Sequence, residues 1–145
     1  MISASFNELE RAILEHIAKD YSIDSLTRQI HSATLKERNH TGHGFYIYFR
    51  VSKVLPRIEA GDIGEEKVIH GPFINSKGVD IGGGCLIFLQ DGYIDCLEMY
   101  AYGDRFNEHI SEFELSGSHK RPTWIKRFWG RLVYSYRVIT GKWPT

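Results

Sequence analysis

The sequence predicts an α+β domain, and three observations carry this prediction. The N-terminal region has apolar residues at helical spacing, the middle has β-branched and aromatic runs between turn residues, and 145 residues suit one domain. Hydrophobic residues make up 42% and charged residues 25%, which excludes disordered, collagen-like and disulfide-scaffold proteins. We expect N-terminal helices packed on an antiparallel sheet of about five strands, with a C-terminal basic amphipathic helix. The single domain would comprise a body at 1–116 and the basic helix at 117–145.

The first helix is predicted over residues 5–20. Ser5 and Glu8 have the spacing of a capping box, and an apolar stripe follows at every third or fourth position: Phe6, Leu9, Ile13 and Ile17. A second, short helix is expected from about residue 24, and two apolar residues form its buried side: Leu26 and Ile30.

After these helices the periodicity changes to that of strands. Residues 34–38 and 44–51 are predicted as two strands joined by the turn-rich run at 39–42, because FYIYFRV has the aromatic and β-branched content of a strand. The run at 52–78 contains several prolines and glycines and is predicted as loop, with one short strand near 67–70.

The clearest local signal is the hairpin CLIFLQDGYIDCLEMY. Asp91 and Gly92 lie between two apolar runs, and both tolerate the positive φ of a type I′ turn. With a two-residue turn, position 90 faces 93 and position 87 faces 96. One face of the hairpin then carries Ile87, Leu89 and Ile94, and the other carries Leu86, Phe88, Tyr93 and Leu97. Because both faces are apolar, we expect the N-terminal helix to cover one and the C-terminal segment or a partner to cover the other.

The C-terminal segment is predicted to form a helix of about five turns, bracketed by Pro122 and Gly141. One side of its helical wheel is apolar: Ile125, Phe128, Trp129, Leu132, Tyr136 and Ile139. The opposite side is basic: Lys126, Arg127, Arg131 and Arg137.

The formal net charge of zero hides a strong asymmetry along the chain. Residues 1–79 are neutral, residues 80–116 carry a net charge of −7, and residues 117–145 carry +7 together with all three tryptophans. Such an asymmetry indicates a tail that contacts something acidic, and the middle of this chain is one candidate.

The densest polar cluster combines three carboxylates with two tyrosines: Asp95, Glu98, Asp104, Tyr100 and Tyr102. We interpret this cluster as an acidic surface that binds a partner. A general acid–base pair and an ordinary solvated rim are the alternatives, and catalysis would need a cleft that shifts the pKa values of these groups. Since no serine, cysteine or histidine arrangement completes a nucleophilic triad, we expect no catalytic residue.

Two other patterns favour structural explanations over ligand binding. His40 and His43 could begin a metal site with Cys85 or Cys96, but no second ligand pair follows at zinc-site spacing. A glycine run consists of Gly78, Gly82, Gly83 and Gly84. It leads into a predicted strand, whereas a phosphate loop needs a helix N-terminus after its glycines. We therefore expect no metal and no cofactor. The two cysteines are predicted to be reduced and buried, because the hairpin register suits a disulfide poorly.

Three interpretations of the basic segment stay open. Its arginines and aromatic residues offer phosphate contacts and stacking surfaces to nucleic acid, and they also suit an anionic membrane surface. In both cases the binding residues would be Lys126, Arg127, Arg131, Arg137 and Trp124. The third interpretation, a last helix packed on the hairpin, is favoured because a hairpin with two apolar faces needs a second cover.

The string GGGCLIFLQDGYIDCLEMYAYGD, together with LERAILEHIA and TGHGFYIYFRV, resembles a set of small, poorly characterised bacterial proteins. Those proteins combine an N-terminal helix with a sheet hairpin, and the matching positions are Asp91, Gly92, Leu97, Glu98 and Tyr100. The resemblance spans about residues 5–115 and implies a bacterial, cytoplasmic α+β protein, whereas the basic tail departs from the pattern. Size and charge give a weaker likeness to immunity proteins of toxin–immunity systems.

These observations predict a non-enzymatic protein-binding module, most concretely an immunity protein whose acidic surface neutralises a basic toxin. Nucleic-acid or membrane-surface binding through the basic tail is the alternative, and an uncharacterised enzyme is the third. The N-terminus has no basic region followed by an apolar run, and no stretch approaches the roughly 18 apolar residues of a membrane span. We therefore expect a cytoplasmic location.

Overall fold

The computed structural model describes residues 1–63 and 67–118. Within them lie the helices α1 (Glu8–Tyr21), α2 (Asp24–Ser32) and α3 (Ala60–Ile63), and the strands β1 (Thr34–His40), β2 (Gly44–Arg50), β3 (Val68–His70), β4 (Phe73–Asn75), β5 (Gly83–Gln90), β6 (Tyr93–Ala101) and β7 (Glu114–Ser116). The predicted α+β architecture is confirmed. In this part of the chain, no helix has the length and apolar character needed to cross a membrane. The basic helix predicted over 117–145 lies, from residue 119 on, outside the described residues.

The strands form one antiparallel sheet in the order β1-β2-β6-β5-β4-β7, and β3 pairs with the same edge of β5 as β4 does. The prediction of about five strands is wrong, because the described residues contribute seven strands to this sheet. β4 and β7 are the additional ones. Each has only three residues, which is too short for an alternating pattern, and the proline and glycine before β4 indicate a loop.

The first helix begins later than predicted, because Asn7 is its N-cap. The Asn7 side-chain oxygen accepts the backbone N–H of Glu10 at 2.9 Å, and the Glu10 carboxylate accepts the Asn7 N–H at 2.9 Å. Ser5 instead accepts a hydrogen bond from the backbone N–H of Leu35 on β1. Both candidate pairs have the spacing of a capping box, so the sequence alone does not distinguish them.

A β-bulge in β6 changes the hairpin register beyond the Asp91-Gly92 turn. Two successive pairs show the shift: Leu89 with Ile94, and Phe88 with Cys96. Asp95 is therefore the extra residue, and the predicted pairing of 87 with 96 is wrong. Ile87 pairs with Leu97 instead. Because of this shift, Leu97 lies on the same face as Ile87. In the regular register it would lie on the face of Phe88.

The hydrophobic core lies between the two N-terminal helices and one face of the sheet. Alternate residues of three central strands enter it: Phe45, Ile47 and Phe49 from β2, Cys85 and Ile87 from β5, and Leu97 and Met99 from β6. The helices add the residues of the predicted apolar stripes, among them Leu9, Ile13, Ile17, Leu26 and Ile30. We call the opposite face of the sheet the outer face.

Gln29 connects α2 to the tip of the hairpin. Its side chain is fully buried, and its Nε2 donates to the carbonyls of Pro56 at 2.9 Å and Gly92 at 3.0 Å. Its Oε1 accepts the backbone N–H of Ile94 at 2.9 Å. One amide thus satisfies backbone groups of the hairpin and of the loop after β2, and fixes both against the helix.

Candidate functional site

The outer face of the sheet is organised in cross-strand rows, because alternate residues of paired strands point to the same side. One row contains Asn39, Tyr46, Glu98, Leu86 and His70. The next row contains Glu37, Tyr48, Cys96, Phe88 and Val68. The exposed fraction is 36% for Tyr46 and 40% for Phe88, so a partner can reach aromatic rings on this face.

Two tyrosines and three carboxylates come together here, and we call them the tyrosine–carboxylate patch: Glu37, Tyr46, Tyr48, Asp95 and Glu98. Tyr46 lies directly across from Glu98, and Tyr48 lies directly across from Glu37. Asp95 is the bulged residue beside Cys96, and its negative charge contributes to the raised pKa of Tyr48. Glu37 is exposed, while Tyr48, Asp95 and Glu98 are half-buried.

The carboxylates of this patch help to raise the pKa values of its two tyrosines. The pKa of Tyr46 is raised, first by a hydrogen bond with Glu98 and then by the charge of that carboxylate. The pKa of Tyr48 is also raised, with Cys96 as the largest cause, followed by desolvation and the charges of Glu37 and Asp95. Both hydroxyls stay protonated at neutral pH. The Tyr46 hydroxyl donates its single hydrogen to Glu98 and can accept a hydrogen bond from a partner, which suits the N–H groups of a basic side chain.

A second group of rings lies where β4, β5 and β6 meet, and we call it the aromatic cluster: Phe73, Tyr100 and Tyr102. The ring centroid of Tyr102 is 6.3 Å from that of Phe73 and 6.0 Å from that of Tyr100. Tyr100 pairs with Gly84 of β5, which contributes no side chain to its row. Gly84 itself is buried.

The structure distributes the five residues of the predicted acidic cluster over three places. Asp95 and Glu98 belong to the tyrosine–carboxylate patch, and Tyr100 and Tyr102 belong to the aromatic cluster. Asp104 lies in the loop after β6, where its backbone carbonyl accepts a hydrogen bond from His43 Nδ1 at 2.6 Å. Tyr102 is only 8% exposed, so most of its side chain is closed to an external partner.

Three residues of the patch were not among the predicted site residues: Glu37, Tyr46 and Tyr48. A local signal for the tyrosines exists, because the alternation in GFYIYFR separates them from the buried phenylalanines and isoleucine of the same strand. The pairing of β2 with β6, which brings Tyr46 beside Glu98, joins residues about 50 positions apart and leaves no local signal.

Both cysteines are free and buried, as predicted. Cys85 faces the core, and its thiol donates to the carbonyl of Pro72 at 3.3 Å. Cys96 lies on the outer face. Burial raises the pKa of Cys85, and burial followed by the charge of Asp95 raises the pKa of Cys96 to about 11. Neither thiol is activated as a nucleophile, since activation requires a lowered pKa.

His40, the last residue of β1, and His43, in the turn before β2, each bind a backbone carbonyl. His40 Nε2 donates to the carbonyl of Phe106 at 2.7 Å, and its ring stacks on Phe45 with centroids 4.5 Å apart. His43 holds the carbonyl of Asp104 as described above. Among residues 1–63 and 67–118, no group of three or more His, Cys, Asp or Glu side chains is placed to hold a metal ion.

The glycine run serves the pairing of β5 with β6. Gly83 and Gly84 are the first residues of β5. A Cβ at Gly83 would lie 2.4 Å from the carbonyl oxygen of Tyr100, so only glycine lets the strands approach this closely. The glycines lead into a strand, as predicted, and no helix N-terminus follows them to receive a phosphate.

A shallow hollow of about 460 Å³ lies between β4 and β7, and its lining consists of Asn75, Ser76, Lys77, Glu112, Phe113 and Glu114. The Ser76 hydroxyl donates to the backbone carbonyl of Glu112 at 2.7 Å, so it is engaged with the main chain and not with a base. This lining has no nucleophile–base pair. The hollow therefore gives no support to an enzymatic function.

The residues predicted to bind through the basic tail lie outside the described residues: Trp124, Lys126, Arg127, Arg131 and Arg137. Comparisons of the chain with protein-family models, with curated proteins and with solved structures find no match.

Proposed function

We propose that this protein is a non-enzymatic protein-binding module whose tyrosine–carboxylate patch binds a basic partner. The observation that supports the proposal is that Tyr46 and Tyr48 lie beside Glu98 and Glu37 on an exposed sheet face. Tyrosine is enriched at the energetic centres of protein interfaces, because its ring buries a large apolar area while its hydroxyl makes a hydrogen bond.

The charges of the patch indicate the chemistry of the partner. A guanidinium or ammonium group that enters the patch would meet a carboxylate and the face of a phenol ring together. Charge pairing and cation–π attraction would then stabilise the same cation. A protein with exposed arginine and lysine side chains fits this surface better than a nucleic acid, because the carboxylates would repel phosphates.

Most concretely, we propose that the chain is a bacterial immunity-type protein that neutralises a basic toxin in the cytoplasm. Its support is the patch itself and the net charge of −7 over residues 80–116. The C-terminal basic amphipathic helix is part of the same proposal, and its support is the pattern of apolar and basic residues around Pro122 and Gly141.

Calorimetric titration of the full-length protein with the product of the adjacent gene tests the proposal. We expect Glu98→Lys to weaken binding at least about tenfold, because it reverses a charge in the patch and removes the hydrogen-bond partner of Tyr46. The matched control is Glu15→Lys on α1, whose side chain is 60% exposed on the opposite layer, and its affinity should equal that of the wild type. Absence of binding, or equal weakening by both variants, would overturn the proposal.

The rival function is binding of nucleic acid or of an anionic membrane, and the net charge of +7 over residues 117–145 is the observation that favours it. It predicts affinity for DNA, RNA or anionic vesicles that falls steeply with salt, because each phosphate contact releases counterions. Loss of that affinity in Lys126→Glu/Arg127→Glu, with no effect of Glu98→Lys, would favour this function over the patch.

A further inference from the structure

β1 forms one edge of the sheet and, within the described residues, pairs with β2 alone. The last five residues of this strand, 36–40, are all exposed. The open edge ends at Leu35, whose backbone N–H donates to the Ser5 hydroxyl at 3.0 Å. An open edge of this kind offers its backbone groups to an added strand.

The ladder between β1 and β2 determines which backbone groups of β1 point outward. In an antiparallel ladder, pairs that exchange hydrogen bonds alternate with pairs that do not. The Thr41 N–H donates to the carbonyl of the first residue of β2 at 3.0 Å. Alternation from this pair makes Asn39 and Glu37 the residues that bond to β2. The N–H and C=O groups of Arg38 and His40 therefore point to the open edge.

The same register determines which side chains an added strand would meet on the outer face. Glu37 lies across from Tyr48 on this face, and two positions further on Asn39 lies across from Tyr46. A residue added across from Glu37 would form a non-hydrogen-bonded pair, in which Cα atoms are about 4.5 Å apart and side chains come closest. An arginine or lysine there would pair with the Glu37 carboxylate and extend toward the ring of Tyr48. The tyrosine–carboxylate patch thus continues to the open edge.

Two features of β1 favour a foreign strand over a second copy of the chain. The register shift at Lys36 is a β-bulge, and bulges and lysines on edge strands oppose indiscriminate pairing. An antiparallel second copy would present Glu37 and Asn39 on the outer face, so it would bring no cation to the patch. A foreign strand with basic residues at alternate positions would supply the opposite charge.

We infer that the basic partner adds an antiparallel strand to β1, with arginine or lysine at the positions across from Glu37 and Asn39. The backbone groups of Arg38 and His40 hold this strand, and its basic side chains reach the tyrosine–carboxylate patch. The inference rests on the proposed function, because it specifies how the partner reaches the patch. It restricts the partner to a protein that presents an extended segment with alternating basic residues.

Amide hydrogen exchange of the full-length protein with a synthetic peptide tests the inference. The peptide is capped at both ends, has the length of β1, and carries arginine at every second position with threonine between. At saturation it should slow exchange at the Arg38 and His40 amides at least about tenfold, because these N–H groups become hydrogen-bonded. Unchanged exchange at both amides, with shifted resonances at Tyr46 and Glu98, would overturn strand addition and leave the proposed function standing.

A matched peptide separates backbone pairing from charge attraction. N-methylation of its threonines keeps every arginine but removes the N–H groups that would face β1. We expect this peptide to bind at least about tenfold more weakly than the unmodified one. Equal affinities of the two peptides, or binding by neither, would overturn strand addition, whereas calorimetry with the product of the adjacent gene tests the proposed function separately.

A charge reversal at the edge checks the position of the basic residues. Glu37→Lys should weaken binding of the unmodified peptide about tenfold, because the arginine across from it would meet a like charge. The control is Glu15→Lys on α1, which should leave the affinity unchanged. Equal affinities of Glu37→Lys and the wild type would contradict the inferred register.

Discussion

Arg38 on β1 donates two hydrogen bonds to the carboxylate of Glu10 on α1, from Nε to Oε2 at 2.7 Å and from Nη2 to Oε1 at 2.6 Å. Glu10 is fully buried, and its Oε1 also accepts the backbone N–H of Asn7. The hydrogen bond with Glu10 raises the pKa of Arg38, so the guanidinium stays charged. One carboxylate thus caps the first helix and attaches it to the edge strand of the sheet.

Arg38→Met is expected to lower the free energy of unfolding by about 2–3 kcal/mol, because the buried carboxylate of Glu10 loses its counter-charge. The control is Arg28→Met, since Arg28 and Asp24 form an exposed pair at 3.9 Å. That change should cost less than about 0.5 kcal/mol. Urea unfolding measures the free energy of unfolding of each variant. An equal decrease in the two variants would show that the buried pair does not stabilise the fold.

Gln29→Leu should be strongly destabilising. The leucine would leave the carbonyl of Pro56 and the N–H of Ile94 without their side-chain partner, at a cost of about 1–3 kcal/mol for each group that stays unsatisfied. Gln90→Leu, at the exposed end of β5, is the control and should change stability by less than about 0.5 kcal/mol. Faster hydrogen exchange at the Ile94 amide would locate the effect, and unchanged exchange would argue against this role of Gln29.

Gly92→Ala should destabilise the hairpin turn by at least about 1 kcal/mol, because Gly92 has a φ of 82° and an added Cβ would lie 2.8 Å from Arg57 Cβ. Gly61→Ala in α3 is the matched substitution. Its Cβ would meet nothing within 4 Å, so it should be neutral or stabilising by about 0.5–1 kcal/mol. Thermal unfolding compares the two, and a neutral Gly92→Ala would contradict the observed turn geometry.

The raised pKa of Cys96 predicts a loss of stability at alkaline pH. The unfolded thiol ionises near its ordinary pKa of 9.0, whereas the folded thiol keeps its proton until about pH 11. The folded state therefore binds more protons between these values, and the free energy of unfolding falls as pH rises through them. Cys96→Ala should make this decline shallower when unfolding is measured from pH 8 to 11. Parallel curves for the two proteins would contradict the prediction.

Local patterns in the sequence predict much of the fold. The stripe that contains Ile13 and Ile17 predicts α1, and Asp91-Gly92 predicts the hairpin turn, because helix faces and two-residue turns depend on residues close in sequence. The bulge at Asp95 is not predictable in the same way. It is stabilised by the burial of Leu97 among residues from other elements, so the register is decided by tertiary packing.

The candidate site was predicted in part. Asp95 and Glu98 stand out in the sequence because they lie in an acidic block beside a strong hairpin signal. Tyr46 and Tyr48 join them only through the pairing of β2 with β6, a contact between distant parts of the chain. Tyr102 illustrates the opposite case, since it belongs to the predicted acidic cluster while its own ring is buried beside Phe73.

The most direct test of the protein-binding proposal is amide chemical-shift mapping of the full-length protein with the product of the adjacent gene. We predict that perturbed resonances concentrate on β2 and β6, at Tyr46, Tyr48, Cys96 and Glu98. Perturbations confined to α1 or to residues 119–145, with β2 and β6 unchanged, would contradict the proposal that this protein binds its partner through the tyrosine–carboxylate patch.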